Sequence, residues 1–253
     1  MKYFLTSDIH GYFDELITAL KLQNFNATTD CLIVVGDIFD RGKQAFQVYN
    51  FLKNLPHKIL IMGNHDYRLV EIANGAKVEN VDISNGTVDT IFQLTGLLPV
   101  QIRMRIPELK ERLKKYSDFI QENCVNYIET DKNIVCHGWI PITIQEWIDD
   151  KSNTEYSYYL FNPAWEKATD EEWIDATWTN SYKAYQSFLF PNKQLIIGHF
   201  FASYFNKDKS DNIFISDKLI ALDSCVMLSH KINILELEEP EYINIHYRKS
   251  NKS

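Results

Sequence analysis

The sequence predicts an α/β protein whose first half builds a mostly parallel sheet, and two observations carry that reading. Short, β-branched apolar runs alternate with helical patterns, as they do in βαβ units. Each run then ends in a cluster of Asp, Asn, His and Gly, at the strand carboxyl ends where parallel sheets gather their ligand sites.

Taken in order, Tyr3 to Thr6 is an apolar strand that leads into Asp8-Ile9-His10-Gly11. Phe13 to Leu22 places Leu16, Ile17 and Leu20 on one helical face. Cys31 to Val35 is the second strand and delivers Gly36-Asp37-Ile38-Phe39-Asp40-Arg41-Gly42. Gln44 to Leu55 is the next helix, and Lys58 to Met62 is a strand ending at Gly63-Asn64-His65-Asp66. Residues 74–124 break this rhythm and read as a helical insertion capping the site. Asn-Gly turns mark Asn74-Gly75 and Asn85-Gly86, and Pro107 opens an amphipathic helix over Ile106 to Asn123. Strands resume at Asn133 to Cys136, which runs into His137, and at Gln194 to Ile197, which runs into His199. An aromatic-rich helix is expected within Asp170 to Tyr185. Close-set strands follow over Ile213 to Ser216, Leu219 to Leu222, Ile232 to Leu237 and Tyr242 to Tyr247, before a polar end at 249–253. The whole chain, 1–253, reads as one domain.

The totals exclude several function classes. A chain of 253 residues, 45% hydrophobic and 24% charged, has the make-up of a globular domain with a large core. A formal charge of −8 and a pI near 5.4 leave no basic stripe for nucleic acid. Four cysteines without a Cys-x-x-Cys pair read as buried, reduced thiols. No apolar run reaches the ~18–20 residues of a membrane span, and the first strand follows Met1 without a leader, so a cytoplasmic protein is expected.

The strand-end residues are a ligand set. Asp8 and His10 lie two apart and point to one side of an extended strand end, so they can share a cation. Asp37 can bridge two cations, and Asn64, His137 and His199 complete the second. This mixed nitrogen and oxygen shell suits manganese, the first expectation, or iron, zinc or cobalt better than calcium. Two cations ~3.5–4 Å apart would lower the pKa of a bridging water and offset charge during in-line attack on phosphorus. His65 is the candidate acid for the leaving oxygen, Asp40 the group that orients it, and Arg41 a planar fork for two phosphate oxygens.

These motifs resemble the calcineurin-like metallophosphoesterase superfamily. They are most similar to its phosphoprotein-phosphatase branch, with bacterial and phage relatives that include symmetrical diadenosine-tetraphosphate hydrolases. The resemblance implies a four-layer αββα sandwich with two central sheets and a cap. It assigns Asp8, His10 and Asp37 to one ion and Asp37, Asn64, His137 and His199 to the other, with His65, Asp40 and Arg41 catalytic. Phe201 stands where many superfamily members carry a further His, and Asp66 where eukaryotic protein phosphatases have Glu. The branch's second phosphate-gripping arginine is missing, since none occurs from Leu113 to Tyr247. Asn180 or Lys183 could replace it, and Arg68, one turn past His65, could join Arg41 and Asn64 as a substrate contact. Trp139, Trp147, Trp165, Trp173 and Trp178 are open to two readings, nucleobase stacking and core packing.

The reading is a binuclear-metal phosphomonoesterase of the serine/threonine-phosphatase type, acting on a phosphorylated protein or a small phosphate ester. A dinucleoside polyphosphate hydrolase on the same site is the alternative. A non-catalytic module is the third reading, opposed by the completeness of the ligand set.

Overall fold

The computed structural model describes residues 1–104, 107–149 and 154–248. Its strands are β1 (Tyr3–Thr6), β2 (Cys31–Val35), β3 (Lys58–Ile61), β4 (Cys124–Val125), β5 (Tyr127–Thr130), β6 (Asn133–Val135), β7 (Thr143–Asp149), β8 (Thr154–Leu160), β9 (Gln194–Ile197), β10 (Phe214–Ile215), β11 (Leu219–Ala221), β12 (Leu235–Leu237) and β13 (Ile243–His246). The helices are α1 (Phe13–Leu22), α2 (Ala45–Asn54), α3 (Asn64–Ala73), α4 (Asn80–Ser84), α5 (Thr87–Thr95), α6 (Pro99–Arg103), α7 (Pro107–Asn123), α8 (Asp170–Thr177), α9 (Ser181–Gln186), α10 (Ala202–Phe205) and α11 (Val226–Ser229).

One sheet runs β12-β1-β2-β3-β4, with β1 to β4 parallel and β12 antiparallel on β1. The other runs β10-β11-β9-β6-β5-β13, and its central pairs β11·β9 and β9·β6 are parallel. Strand β2 shows how sequence builds layers. All five of its residues are buried, and its period of two sends Leu32 and Val34 to one side and Cys31, Ile33 and Val35 to the other. The second set meets Leu5 and Ile61, and across the gap Ile128, Val135, Ile196 and Ile220 of the other sheet, so the two sheets pack face to face. The first set meets Leu16, Leu20, Val48, Leu52 and Leu69 of the outer helices. On the far side Trp139, Trp165, Trp173, Ala176 and Ala184 cover the second sheet. The molecule is therefore the expected αββα sandwich.

The described residues of 74–124 hold four helices. Val88, Ile91 and Leu94 of α5 and Leu109, Leu113, Tyr116 and Ile120 of α7 join the same core as β2 and α2, so most of the segment thickens the outer helical layer. Helix α5 also stands against the second motif loop, through Thr87 and Thr90 at Asp40 and through Gln93, whose Nε2 donates to Gly42 O at 2.9 Å. Sequence periodicity overlooked α5 because it is short and closed at both ends by glycines in the left-handed region, Gly86 at φ 85° and Gly96 at φ 74°. It also overlooked the β7–β8 hairpin, whose register pairs Thr143 with Leu160. The aromatic-rich stretch divides into α8 and α9 where Asn180 caps the second helix. Ile106, the Trp147 side chain and the polar end at 249–253 lie outside the described residues.

Candidate active site

Backbone strain locates the site before any side chain is considered. Among the described residues eleven other than glycine have positive φ, and six of them are Asp8, His10, Asp37, Asp40, Arg41 and His199. Such conformations cost about 1–3 kcal/mol each and persist where the surroundings over-determine them. Here the β1 and β2 loops lock together: Asp8 N–H donates to Gly36 O at 3.0 Å, His10 N–H to Asp37 O at 3.0 Å and Gly42 N–H to His10 O at 2.7 Å. The turns swing the carboxylates and imidazoles out of the strands toward one another.

Asp37 is the common point. His10 Nε2 lies 3.6 Å from its Oδ2, and His137 Nε2 lies 3.3 Å from its Oδ1. His137 Nε2 is also 2.9 Å from Asn64 Oδ1. His10, Asp37 and His65 form one group of convergent ligand atoms and Asp37, His137 and His199 another, with the atoms of each group within 4.8 Å of one another. Asp8 stands at the edge of the first group, 3.9 Å from His10 Nε2, where both its oxygens accept the His199 N–H at 3.2 and 2.9 Å. The geometry thus brings His65 beside His10 and Asp37, with Asp8 next to them.

Whether the donors suit cations can be tested on the imidazoles. Nδ1 of His10 is 2.8 Å from Phe39 O, and Nδ1 of His137 is 2.8 Å from Val35 O. A carbonyl only accepts, so each Nδ1 carries the hydrogen and each neutral ring turns an Nε2 lone pair toward Asp37 oxygens. Lone pair facing lone pair at these distances needs a positive charge between them. In the bare protein a proton takes that place at His137 alone. Burial pushes His137 down, yet the Asp37 carboxylate outweighs it and raises the ring to about 10. Burial likewise pushes Asp37 up, but His137, His65 and His10 hold it well below the usual range. Asp8 rises to about 6, by burial first, with Asp37 adding. Burial drives His10 and His199 down to about 3, which leaves both as neutral ligands. The set fits a pair of divalent cations.

A stability consequence follows. Ligand at a hundredfold excess over its Kd stabilises by about 2.7 kcal/mol, and a chain of this size gains about 2–4 °C per kcal/mol. Titrating the metal-free protein with manganese should raise its Tm by about 5–10 °C, measured by calorimetry. A Tm indifferent to manganese, zinc, iron and cobalt alike overturns the metal site.

Beside this pair stands a dyad. His65 Nδ1 is 2.7 Å from Asp40 Oδ2, and the Thr87 hydroxyl donates to the same oxygen at 2.6 Å. The Asp40 N–H donates to Thr90 Oγ1 at 3.0 Å, and Arg41 N–H to Asn85 O at 3.2 Å. Helix α5 and the turn before it therefore clamp the Asp40-Arg41 corner. His65 Nε2 is left facing the Arg41 guanidinium at 3.5 Å and Asp37 Oδ2 at 3.9 Å. Burial lowers His65, but Asp37 and Asp40 outweigh it and the ring is raised.

Two residues expected from the sequence as substrate contacts are engaged locally. Arg68 Nε and Nη2 bind Asp82 at 2.8 Å each and Nη1 binds Glu71 at 3.1 Å, so its fork clamps α3 to α4 and is not free for phosphate. Asn180 Oδ1 accepts the Lys183 N–H at 2.9 Å as the cap of α9, and Lys183 Nζ lies 6.0 Å from the Tyr159 ring centroid.

The sequence reading had also missed the supports. Asp66 is fully buried, with Oδ1 accepting from Ile38 N–H at 3.0 Å and Oδ2 from Gly63 N–H at 3.2 Å, so it ties the second and third motifs together. Burial, with Asp37 adding, pushes it up to about 7. Its place inside Gly-Asn-His-Asp was the available signal. Gly63 is required by closeness, since a Cβ there would lie 2.2 Å from Asp37 N and Oδ1. Asp223 is buried near Asp8 and raised well above the usual range, by burial first. Thr87 and Thr90 carried no motif at all.

The sequence profile of calcineurin-like phosphoesterases matches residues 1–200. The symmetrical bis(5'-nucleosyl)-tetraphosphatase of Hamiltonella defensa is 36% identical over 81 residues, which cover 32% of this chain and 30% of that one. The corresponding enzyme of Enterobacter sp. is 38% identical over 76 residues, covering 30% of this chain and 27% of that one. The chain thus spans less than a third of the curated relatives it matches. The cold-active protein-tyrosine phosphatase of a Shewanella species superposes with a TM-score of 0.54 at 18% identity, over 94% of this chain and 75% of that one, a likeness of fold alone. Since the profile runs from β1 through His199 and so takes in every strand-end ligand, the chain belongs to the calcineurin-like phosphoesterase family of divalent-metal-dependent hydrolases.

Proposed function

We propose that the chain is a phosphomonoesterase that works by the chemistry of the serine/threonine phosphatases. Asp8, His10, Asp37, Asn64, His137 and His199 hold two divalent ions, manganese first among them. The observation that carries this is the sharing of Asp37 by two ligand clusters beside the His65–Asp40 dyad. A bound cation pair supplies an activated water and offsets phosphoryl charge. The chain's residues do the rest. Arg41 grips phosphoryl oxygens through its planar fork, and Asn64 contacts the same group. His65 Nε2 delivers the proton to the leaving oxygen, while Asp40, fixed by Thr87, holds Nδ1–H and the ring's orientation.

Hydrolysis of a dinucleoside tetraphosphate is the second reading, favoured by the names of the relatives and by the missing arginine. A substrate panel separates the two. The manganese-loaded chain is expected to release phosphate from p-nitrophenyl phosphate and phosphopeptides with kcat/KM about tenfold or more above that for diadenosine tetraphosphate, a gap of about 1.4 kcal/mol. The reverse preference selects the second reading, and no turnover of any substrate overturns both. The four cysteines are buried and free, which supports a reducing, cytoplasmic setting. Among the described residues no helix is long and apolar enough to cross a membrane.

A further inference from the structure

A leaving oxygen that takes its proton from His65 Nε2 must sit within hydrogen-bond reach of it, so the group attached to that oxygen occupies the space adjoining His65. Beside His65 lies a cavity of about 270 Å³, lined also by Thr87, Asn85, Val81 and Trp178. Its volume falls below the ~300–1,000 Å³ of pockets for drug-sized ligands and suits a single ring. Trp178 is unlike the other tryptophans described. Trp139, Trp165 and Trp173 are 1–5% exposed within the core, whereas Trp178, just past the end of α8, is 53% exposed and lines the cavity. The cavity's charge is also informative. Glu71, Glu79 and Asp82 line it against one guanidinium, Arg68, whose donors Asp82 and Glu71 already engage. Lys77 lies 3.9 Å from Glu79 and offsets part of this at the rim.

We propose that this cavity is a leaving-group subsite for a neutral aromatic ring, with Trp178 as its stacking wall. The preferred substrates are then aryl phosphate monoesters, such as the phosphotyrosine side chain. The assignment rests on the phosphomonoesterase reading above and names its substrate class. A nucleoside diphosphate leaving group would bring further negative charge among the carboxylates, and an aliphatic seryl group would leave the Trp178 face unused. In the step itself the P–O bond to the ring breaks, water supplies the new oxygen on phosphorus, and His65 returns a proton to the phenolate, giving a phenol and inorganic phosphate.

The test pairs kinetics with binding. For the manganese-loaded chain, kcat/KM for a phosphotyrosine peptide should exceed that for the matched phosphoserine peptide by about tenfold or more, and that for diadenosine tetraphosphate by more still, a stacked ring being worth about that factor. Trp178→Ala should remove about tenfold for phosphotyrosine and leave phosphoserine within about twofold, while Trp178→Phe keeps most of the preference. Calorimetry gives a readout without turnover: benzylphosphonate should bind about tenfold tighter than ethylphosphonate, and the gap should close in Trp178→Ala. Equal losses for both peptides, or an unchanged phosphonate gap in that variant, overturn the subsite while leaving the phosphomonoesterase reading intact. A wild type that turns over no monoester and binds neither phosphonate overturns the parent reading and this one with it.

Discussion

Asp37→Asn is expected to leave a folded protein that holds at most about one divalent ion per chain where the wild type holds about two, and to lower kcat/KM by about 10³-fold or more. The loss exceeds the ~10–100-fold that follows removal of an outer partner of a ligand, because Asp37 belongs to both ligand clusters at once. Its Oδ2 faces His10 and His65, its Oδ1 faces His137, and the same Oδ1 accepts the His65 N–H at 3.1 Å. The amide keeps the size of the side chain and one accepting oxygen, but removes the charge that both clusters use. Elemental analysis of the purified variant, with the manganese-induced rise in Tm as a second measure, checks it. Two ions retained at wild-type affinity would dismiss Asp37 as the shared ligand.

The parts of the site that the sequence made legible are those whose chemistry and backbone role coincide. Asp8, His10, Asp37, Asn64, His137 and His199 each follow a strand whose last residues are buried, so one apolar run announces both the element and the candidate ligand at its end. The two sheets follow from the same runs, because β2 alternates its side chains between two cores. Supports contributed from elsewhere left no such trace. Thr87 and Thr90 reach Asp40 from a short helix 47 and 50 residues along, with side chains that are unremarkable in sequence. Arg68 and Asn180 show the opposite case. Each has a competing local partner close in sequence, Glu71 for Arg68 and the Lys183 N–H for Asn180, and such short-range bonds form with little loss of chain entropy. Trp178 looked like its buried counterparts because composition does not show which ring a helix end leaves in the open.

Replacing His65 decides between two roles that the geometry allows it. Its Nε2 lies among the ligand atoms of the first cluster, yet its Nδ1 is bound to Asp40, which has its own clamp in Thr87 and Thr90. The Asp37 charge, with that buried pairing adding, raises the ring's hold on a proton, the property of an acid and the reverse of what a ligand needs, since a cation competes for the same lone pair. His65→Asn should therefore keep about two ions per chain while lowering kcat about 10²–10⁴-fold for alkyl phosphates, whose leaving oxygen must be protonated as it departs. With p-nitrophenyl phosphate the leaving group departs as a stabilised anion, so the fall should be smaller, within about tenfold. Asp40→Asn should move both substrates in the same direction by less, since the imidazole remains and only its orientation and proton affinity weaken. Ion counts and the ratio of the two rate losses are the measurements. An equal loss for both substrates, together with a missing ion, would move His65 from the acid's place to the metal shell, and the proton for the leaving group would have to come from elsewhere.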